Sequence, residues 1–456
     1  MFWFDEMRFC QGFYILSTIS DEEYFQAVKR FVSNFDHTFF QIFSILLQIV
    51  RYYSIKIFIN QDIQPYMLMD SDIGLSICVT ILSLSFILSI IFLNKILLNS
   101  GACKKLRIII ICCFALSSSI LPYSRHLLPY DLATSIYLLS ILFIIRNKYC
   151  FSGITCMFSI LTYNGFSATF ITTIIFSICF IITNENRYFK KLLIYASGFA
   201  TVLLLIQSLA YITNINYIEG LFDWAEYAQK HQQGDFGLGY MLIFEYFWQT
   251  ESLFSLLILF PFVFIRKLFK YSMTNNTIFF GIFFVFFILG LMILNSDIKK
   301  SAVMYSRTIN QIVPFICICI GCFIYYIHSK VFVRKIKFIL IFLILITYSY
   351  NVHPIIKMEF PKDILLKSQI ISENTFLINE YVTDKDDLPK KLNNQLYITN
   401  CSQIYPGITK YNKYIFNNAL WSKRHPYFYK PYQFMHFNFN ERSILHENPP
   451  IIRYGY

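Results

Sequence analysis

Charge is scarce in this chain. Asp, Glu, Lys and Arg make up 14% of its 456 residues, against about a quarter in soluble proteins. Much of the surface therefore cannot face water. Glycine (15) and proline (13) are too few for a collagenous or low-complexity chain, and 12 cysteines over this length make no disulfide framework. No Gly-rich phosphate-cradling motif is present, which argues against ATP-driven work in the cytoplasm. No repeat of fixed period is present either, which argues more mildly against transporters built from inverted repeats. Cys317, Cys319 and Cys322 fall within an apolar run and read as packing, while Cys10 and Cys401 lie outside the apolar runs with no spacing that pairs them.

What the chain has in quantity is apolar sequence: 56% hydrophobic and 19% aromatic residues. Runs long enough to cross a bilayer recur at 73–94, 107–122, 130–146, 149–163, 166–183, 191–213, 240–265, 277–294, 309–327 and 336–352. The expected fold is an all-α polytopic membrane protein of about ten transmembrane helices over residues 73–352. An outer first loop with amphipathic helices (1–72) and a small outer cap (353–456) flank it, with Leu396 to Thr399 reading as a strand. The segment 39–59 is apolar but interrupted by Arg51 and Lys56, and reads as an amphipathic helix lying in the outer interface.

The connections orient the bundle. One alternate set carries Lys95, Lys104, Lys105, Arg107, Arg146, Lys148, Arg187, Lys190, Lys191, Arg266, Lys267, Lys270, Lys330, Arg334, Lys335 and Lys337 with one acid, Glu185. The opposite set carries Arg125, Lys230, Lys299, Lys300 and Arg307 among several acids. This is the positive-inside bias and places the first set in the cytoplasm. The formal charge of +12 is thus a topology signal and gives no support to nucleic-acid binding. An N-terminus outside the cytoplasm leads us to expect a further span upstream of Met1.

Candidate chemistry gathers on the outer side. Asp5-Glu6 is a carboxylate pair that would serve as a general base or as ligands of a divalent metal, or simply as part of a solvated acidic loop. Asp21, Glu22 and Glu23 read as solvated, and Asp36-His37 follows them. The turn Tyr123 to Asp131 places Arg125, His126, Tyr130 and Asp131 at the bilayer edge, where ionisable groups are functional candidates by default. Arg125 would either hold a phosphate through a bidentate pair or snorkel beside Asp131. Lys299, Lys300 and Arg307 are cations on the side that the charge rule depletes, and suit the phosphate of a lipid-linked substrate or a paired surface cluster. In the loop 214–239, Trp224 with Glu219, Asp223 and Glu226 would stack on a sugar or belong to an interfacial aromatic belt. In the tail, the run from His425 to Phe434 would contact a glycan or pack on the membrane face.

The order of these pieces resembles the GT-C superfamily of polytopic glycosyltransferases, which use polyprenyl-phosphate sugars. It includes the family 39 protein mannosyltransferases, the aminoarabinose transferases and the O-antigen glucosyltransferases. Asp5-Glu6 matches the Asp-Glu pair that opens the family's first outer loop. Asp36-His37 before an aromatic helix is similar to its His-Pro-Pro stretch, with Thr38 and Phe39 in place of both prolines. Tyr123 to Tyr130 resembles a Tyr–Arg–Tyr turn, and Ser306-Arg307 through Pro314 resembles the Arg-Tyr…Pro start of a late span, with Thr308 for the tyrosine.

The resemblance implies an enzyme of the bacterial inner membrane, with Asp5 as base, Glu6 assisting, and Arg125 and Arg307 facing the lipid phosphate. Its partners would be a polyprenyl-phosphate sugar donor, a glycan or lipid-linked acceptor and membrane lipids. A flippase or polymerase of lipid-linked oligosaccharide is the alternative. Against a flippase, ionisable residues cluster at the outer ends of spans rather than along a central path.

Overall fold

The structure is a computed structural model, and it describes residues 7–35, 37–59, 72–117, 120, 129–231, 276–294, 310–330, 375–378, 396–399 and 414–415. Its helices are α1 (Met7–Ser20), α2 (Tyr24–Val32), α3 (Thr38–Ile59), α4 (Asp72–Asn99), α5 (Lys104–Ala115), α6 (Tyr130–Ile145), α7 (Tyr149–Thr162), α8 (Ser167–Asn184), α9 (Tyr188–Ile212), α10 (Tyr217–His231), α11 (Asn276–Ile293) and α12 (Val313–Lys330). Single 3-10 turns, Asn164–Phe166 and Asn310–Ile312, lead into α8 and α12.

Among the described residues, three helices are long and apolar enough to cross a membrane: Ile77–Asn99, Asn164–Asn184 and Tyr188–Ile212. Four shorter apolar helices accompany them: Tyr130–Ile145, Tyr149–Thr162, Thr277–Ile293 and Asn310–Tyr325. The spans expected at 240–265 and 336–352 lie outside the described residues. The span expected at 107–122 is cut short. Helix α5 has 12 residues and stops at Ala115, about 18 Å of axis, where Leu116 leaves helical geometry and Ser117 follows. Serine competes for backbone hydrogen bonds and weakens helix propagation there.

Helix α6 is the centre of the bundle. It is apolar nearly all round, the pattern of a helix buried on every side, and it packs against α4, α7 and α8. Tyr137, Leu138 and Ile141 belong to a core shared with α5, α11 and α12. Outward faces carry large apolar side chains instead: Leu84, Ile87 and Leu88 on α4, and Leu193, Leu204 and Leu205 on α9 are exposed. Exposed apolar surface on this scale needs lipid to cover it.

Within the bundle, contacts between helices use small and hydroxyl residues, as expected where lipid removes the hydrophobic incentive to associate. Gly153 on α7 and Gly198 on α9 let the two backbones meet. Ser140 Oγ donates to the Ser152 carbonyl at 2.9 Å and Ser152 Oγ donates to the Ser140 carbonyl at 2.9 Å, clasping α6 to α7.

Alternation of helix direction produces two unlike ends. At one, Ser100 and Thr277 share a hydroxyl contact of 2.9 Å. There Tyr149 donates to Glu185, and Lys191 Nζ sits 5.3 Å from the Tyr149 ring centroid. This is the end of Lys104, Lys105, Arg146, Lys148, Arg187 and Lys190. The other end holds the starts of α6, α8 and α12 and the ends of α7 and α9.

Helix α3 passes across that second end. Phe39 stacks on Phe158 of α7 at 4.2 Å. Phe40 and Leu47 then pack with Leu132 of α6 and with Cys78 and Leu82 of α4. The crossing fits a helix lying along an interface, but its polar stripe points the other way from the expectation. Thr38, Gln41, Ser44, Gln48 and Arg51 are buried, while Leu46, Ile49, Val50, Tyr53 and Ile57 are exposed. The reason is α1, which covers the stripe: Ser44 Oγ donates to the Phe9 carbonyl, and Gly12 leaves no room beside Ser44.

The tail departs from an all-α fold. Strands β1 (Thr375–Ile378), β2 (Leu396–Thr399) and β3 (Tyr414–Ile415) form a parallel sheet in the order β1-β2-β3, with Thr375 opposite Leu396 and Tyr397 opposite Tyr414. The strand expected at Leu396 to Thr399 is β2. A parallel sheet needs a crossover between strands, which is why one apolar strand in the sequence does not announce its partners.

Candidate functional site

Of the expected site residues, Asp5, Glu6, Asp36, Arg125, His126, Lys299, Lys300 and Arg307 lie outside the described residues. His37, Tyr130 and Asp131 are described, and the fold gathers them at the end of the bundle opposite the basic one. His37 precedes α3, while Tyr130 and Asp131 form the first turn of α6. All three are buried. Among the described residues the buried Asp, Glu, His, Lys and Arg side chains are His37, Arg51 and Asp131.

Tyr163 joins them. It caps α7 in extended geometry (φ −154°, ψ 105°), which swings its ring into the gap between α3 and α6. Its centroid lies 5.4 Å from that of His37, 4.8 Å from Tyr130 and 5.0 Å from Phe166. Gly165 follows because the Tyr163 ring occupies the place of any side chain there: an added Cβ would lie 2.4 Å from Cζ.

The neighbouring wall comes from α3 and α10. The hydroxyls of Thr38 and Tyr217 are 2.6 Å apart, and Phe35 lies 5.5 Å from the Tyr217 ring. The stretch expected as an outer loop, 214–239, holds helix α10. Asn216 starts it by accepting from the Glu219 amide at 3.4 Å and donating to the Glu219 carboxylate at 3.0 Å, a reciprocal cap at the helix start. Glu219 is therefore engaged in capping, and Asp223 is exposed. Asp21, Glu22 and Glu23 are exposed at the α1–α2 turn, as a solvated acidic group would be.

A second polar knot sits beside the cluster. Gln311 Oε1 accepts from the Thr169 amide and hydroxyl, both at 2.9 Å. Tyr137 donates to the Gln311 carbonyl at 3.2 Å. The Thr169 amide is one of the first N–H groups of α8, which have no partner within the helix. A side chain from the 3-10 turn at Asn310–Ile312 thus caps α8 from outside. Neither Tyr163 nor Gln311 stands out in the sequence. The signals were the turn dipeptide Asn164-Gly165 and a Gln inside an apolar run.

Cys317, Cys319 and Cys322 are buried on α12, as packing residues should be. Among the described residues no group of three or more His, Cys, Asp or Glu could hold a metal ion. The arrangement offers an imidazole and phenols close together at the edge of an apolar bundle, with the buried Asp131 carboxyl on the residue after Tyr130. Such a set can orient a polar headgroup and move a proton. Comparison with protein-family models, curated proteins and solved structures found no match.

Proposed function

We propose that this chain is a polytopic membrane glycosyltransferase of GT-C type with about ten spans. It would move a hexose from a polyprenyl-phosphate donor to a glycan or lipid-linked acceptor on the outer face of a bacterial inner membrane. The observation that carries the reading is the meeting of His37 and Tyr130 around Tyr163, with Asp131 buried one residue further along α6, at the end opposite the cytoplasm-type basic loops. Buried ionisable groups at a membrane edge are costly and persist where they work.

In this reading a carboxylate of the Asp5-Glu6 pair takes the acceptor hydroxyl proton as the hydroxyl oxygen bonds to the anomeric carbon. The bond from that carbon to the phosphate oxygen breaks with inversion. Cations from Arg125, Arg307, Lys299 and Lys300 stabilise the departing phosphate. His126 and Asp36 lie beside the same turns in the sequence and would orient the sugar together with His37, Tyr130 and Asp131.

Membranes containing the full chain, given a radiolabelled polyprenyl-phosphate hexose and candidate glycan acceptors, test this. Transfer by the natural chain that falls at least about a hundredfold in Asp5→Asn or Asp131→Asn is expected. Absence of transfer by the natural chain, or undiminished transfer by both variants, sinks the assignment. Repeating the assay in EDTA decides whether a divalent metal takes part.

A further inference from the structure

The basic end of the bundle brings together two turns that are far apart in sequence. Arg146 and Lys148 lie in the α6–α7 turn, and Arg187, Lys190 and Lys191 open α9 after the turn that follows α8. Tyr149 joins the two: its hydroxyl donates to Glu185, and Lys191 Nζ lies 5.3 Å from its ring centroid. Arg146, Lys148, Arg187 and Lys190 are exposed, and Lys191 is half-buried. Among the described residues none of the five cations forms an ion pair. Glu185 is the one acid between Asp131 and Glu219, and its carboxylate is engaged by the Tyr149 hydroxyl instead.

Five like charges gathered without a counter-charge repel one another. The backbone adds to the imbalance. Helices α7 and α9 both begin at this end, on Lys148 and Arg187, with no side-chain bond capping either start. Helix starts ordinarily carry Ser, Thr, Asp or Asn and favour negative charge. An anion from outside the chain meets both demands.

We propose that Arg146, Lys148, Arg187, Lys190 and Lys191 form a docking surface for the anionic headgroups of bilayer phospholipid. Charge complementarity identifies the headgroup, and the residues set among the charges identify its source. Tyr188 and Phe189 stand between Arg187 and Lys190 and are 50% and 68% exposed. Aromatic side chains at headgroup level anchor a chain in the membrane interface. Phe151 on α7, Ile182 on α8 and Leu193 on α9 are exposed further along the same helices, so apolar surface for acyl chains adjoins the cations. The surface lies at the end opposite the His37 cluster and does not depend on the enzyme reading.

The full-length chain, purified in an uncharged detergent and titrated with dioctanoyl phosphatidylglycerol, tests this through its melting temperature. A saturable rise is expected, with an apparent Kd at least about tenfold weaker in Arg187→Gln with Lys190→Gln. Arg187→Lys with Lys190→Arg keeps both charges and should bind as the natural chain does. Both replaced side chains are exposed, so the glutamine pair should melt without lipid at the natural temperature or above it. Arg146→Gln with Lys148→Gln, on the other turn, should weaken binding to a similar degree, and reads the same surface should the first pair fail to fold. Phosphatidylcholine of the same chain length should give no saturable rise.

An unchanged apparent Kd in the glutamine pairs overturns the surface, as does the absence of any rise with phosphatidylglycerol. A rise of equal size and midpoint with phosphatidylcholine overturns the role of charge. Inorganic phosphate acting at the same concentration as the lipid overturns the lipid source.

Discussion

A Cβ on Gly198 would lie 2.2 Å from the Cys150 carbonyl oxygen, and one on Gly153 would lie 2.2 Å from the carbonyl oxygen of Tyr195. Both obstacles are backbone, so neither can step aside. Gly198→Val should lower the stability of the detergent-solubilised chain by about 1–3 kcal/mol, read as a fall in melting temperature. Gly290 on α11 has nothing within 4 Å of its Cβ position. Gly290→Ala should therefore leave stability unchanged or raise it by about 0.5–1 kcal/mol through helix propensity alone.

Gln311→Leu keeps the volume but strips the cap from α8, and should cost about 1–3 kcal/mol through the orphaned Thr169 amide in the same assay. At the basic end the exposed Cys103 thiol is held below its ordinary value, first by a hydrogen bond from Tyr325. A lowered pKa enlarges the thiolate fraction at neutral pH. Maleimide labelling of Cys103 at neutral pH should consequently slow in Tyr325→Phe, and an unchanged rate would remove the hydrogen bond from the account.

At the scale of the helix, α3 is where reading the sequence and reading the structure part company. Arg51 and Lys56 marked the segment as amphipathic, and the helix forms over nearly the expected residues. What the stripe faces was not legible, because water and a neighbouring helix present the same hydrogen-bonding opportunity to a one-dimensional pattern. Only Gly12 of α1, with no side chain of its own, hints that another backbone comes close. Single cysteines at Leu46 and Ile57 should be quenched by brominated lipid when fluorescently labelled, while one at Gln41 should resist labelling. Equal labelling at all three positions would place the stripe in water.

Helix α10 was missed for a different reason: its start is written in Asn216 and Glu219, a cap that precedes a weakly apolar stretch. Asn216→Ala should cost about 1 kcal/mol.

At the scale of the whole molecule, hydropathy located the described helices and set most of their ends within a few residues. Runs of apolar residues say where lipid or core will be, but α5 stops at Ala115, before Ser117, which a window average does not register. The site was legible in type, with His37, Tyr130 and Asp131 marked by chemistry, but Tyr163, which joins them, is one of 33 tyrosines. Sidedness is directly testable. In sealed inverted vesicles, a cysteine replacing Lys148 or Arg187 should react with a membrane-impermeant maleimide, and one replacing Asn164 should not. The reverse pattern would invert the orientation drawn from the basic loops.

The covering of α3 by α1 has a consequence for how the chain is made. An amphipathic helix with glutamines and an arginine on its inner face has no stable home in lipid until its lid is in place. The two must therefore find each other early, during synthesis, as a pre-assembled pair. A lesion in α1 would then be felt first as an α3 that membrane proteases recognise, and only afterwards as a loss of chemistry.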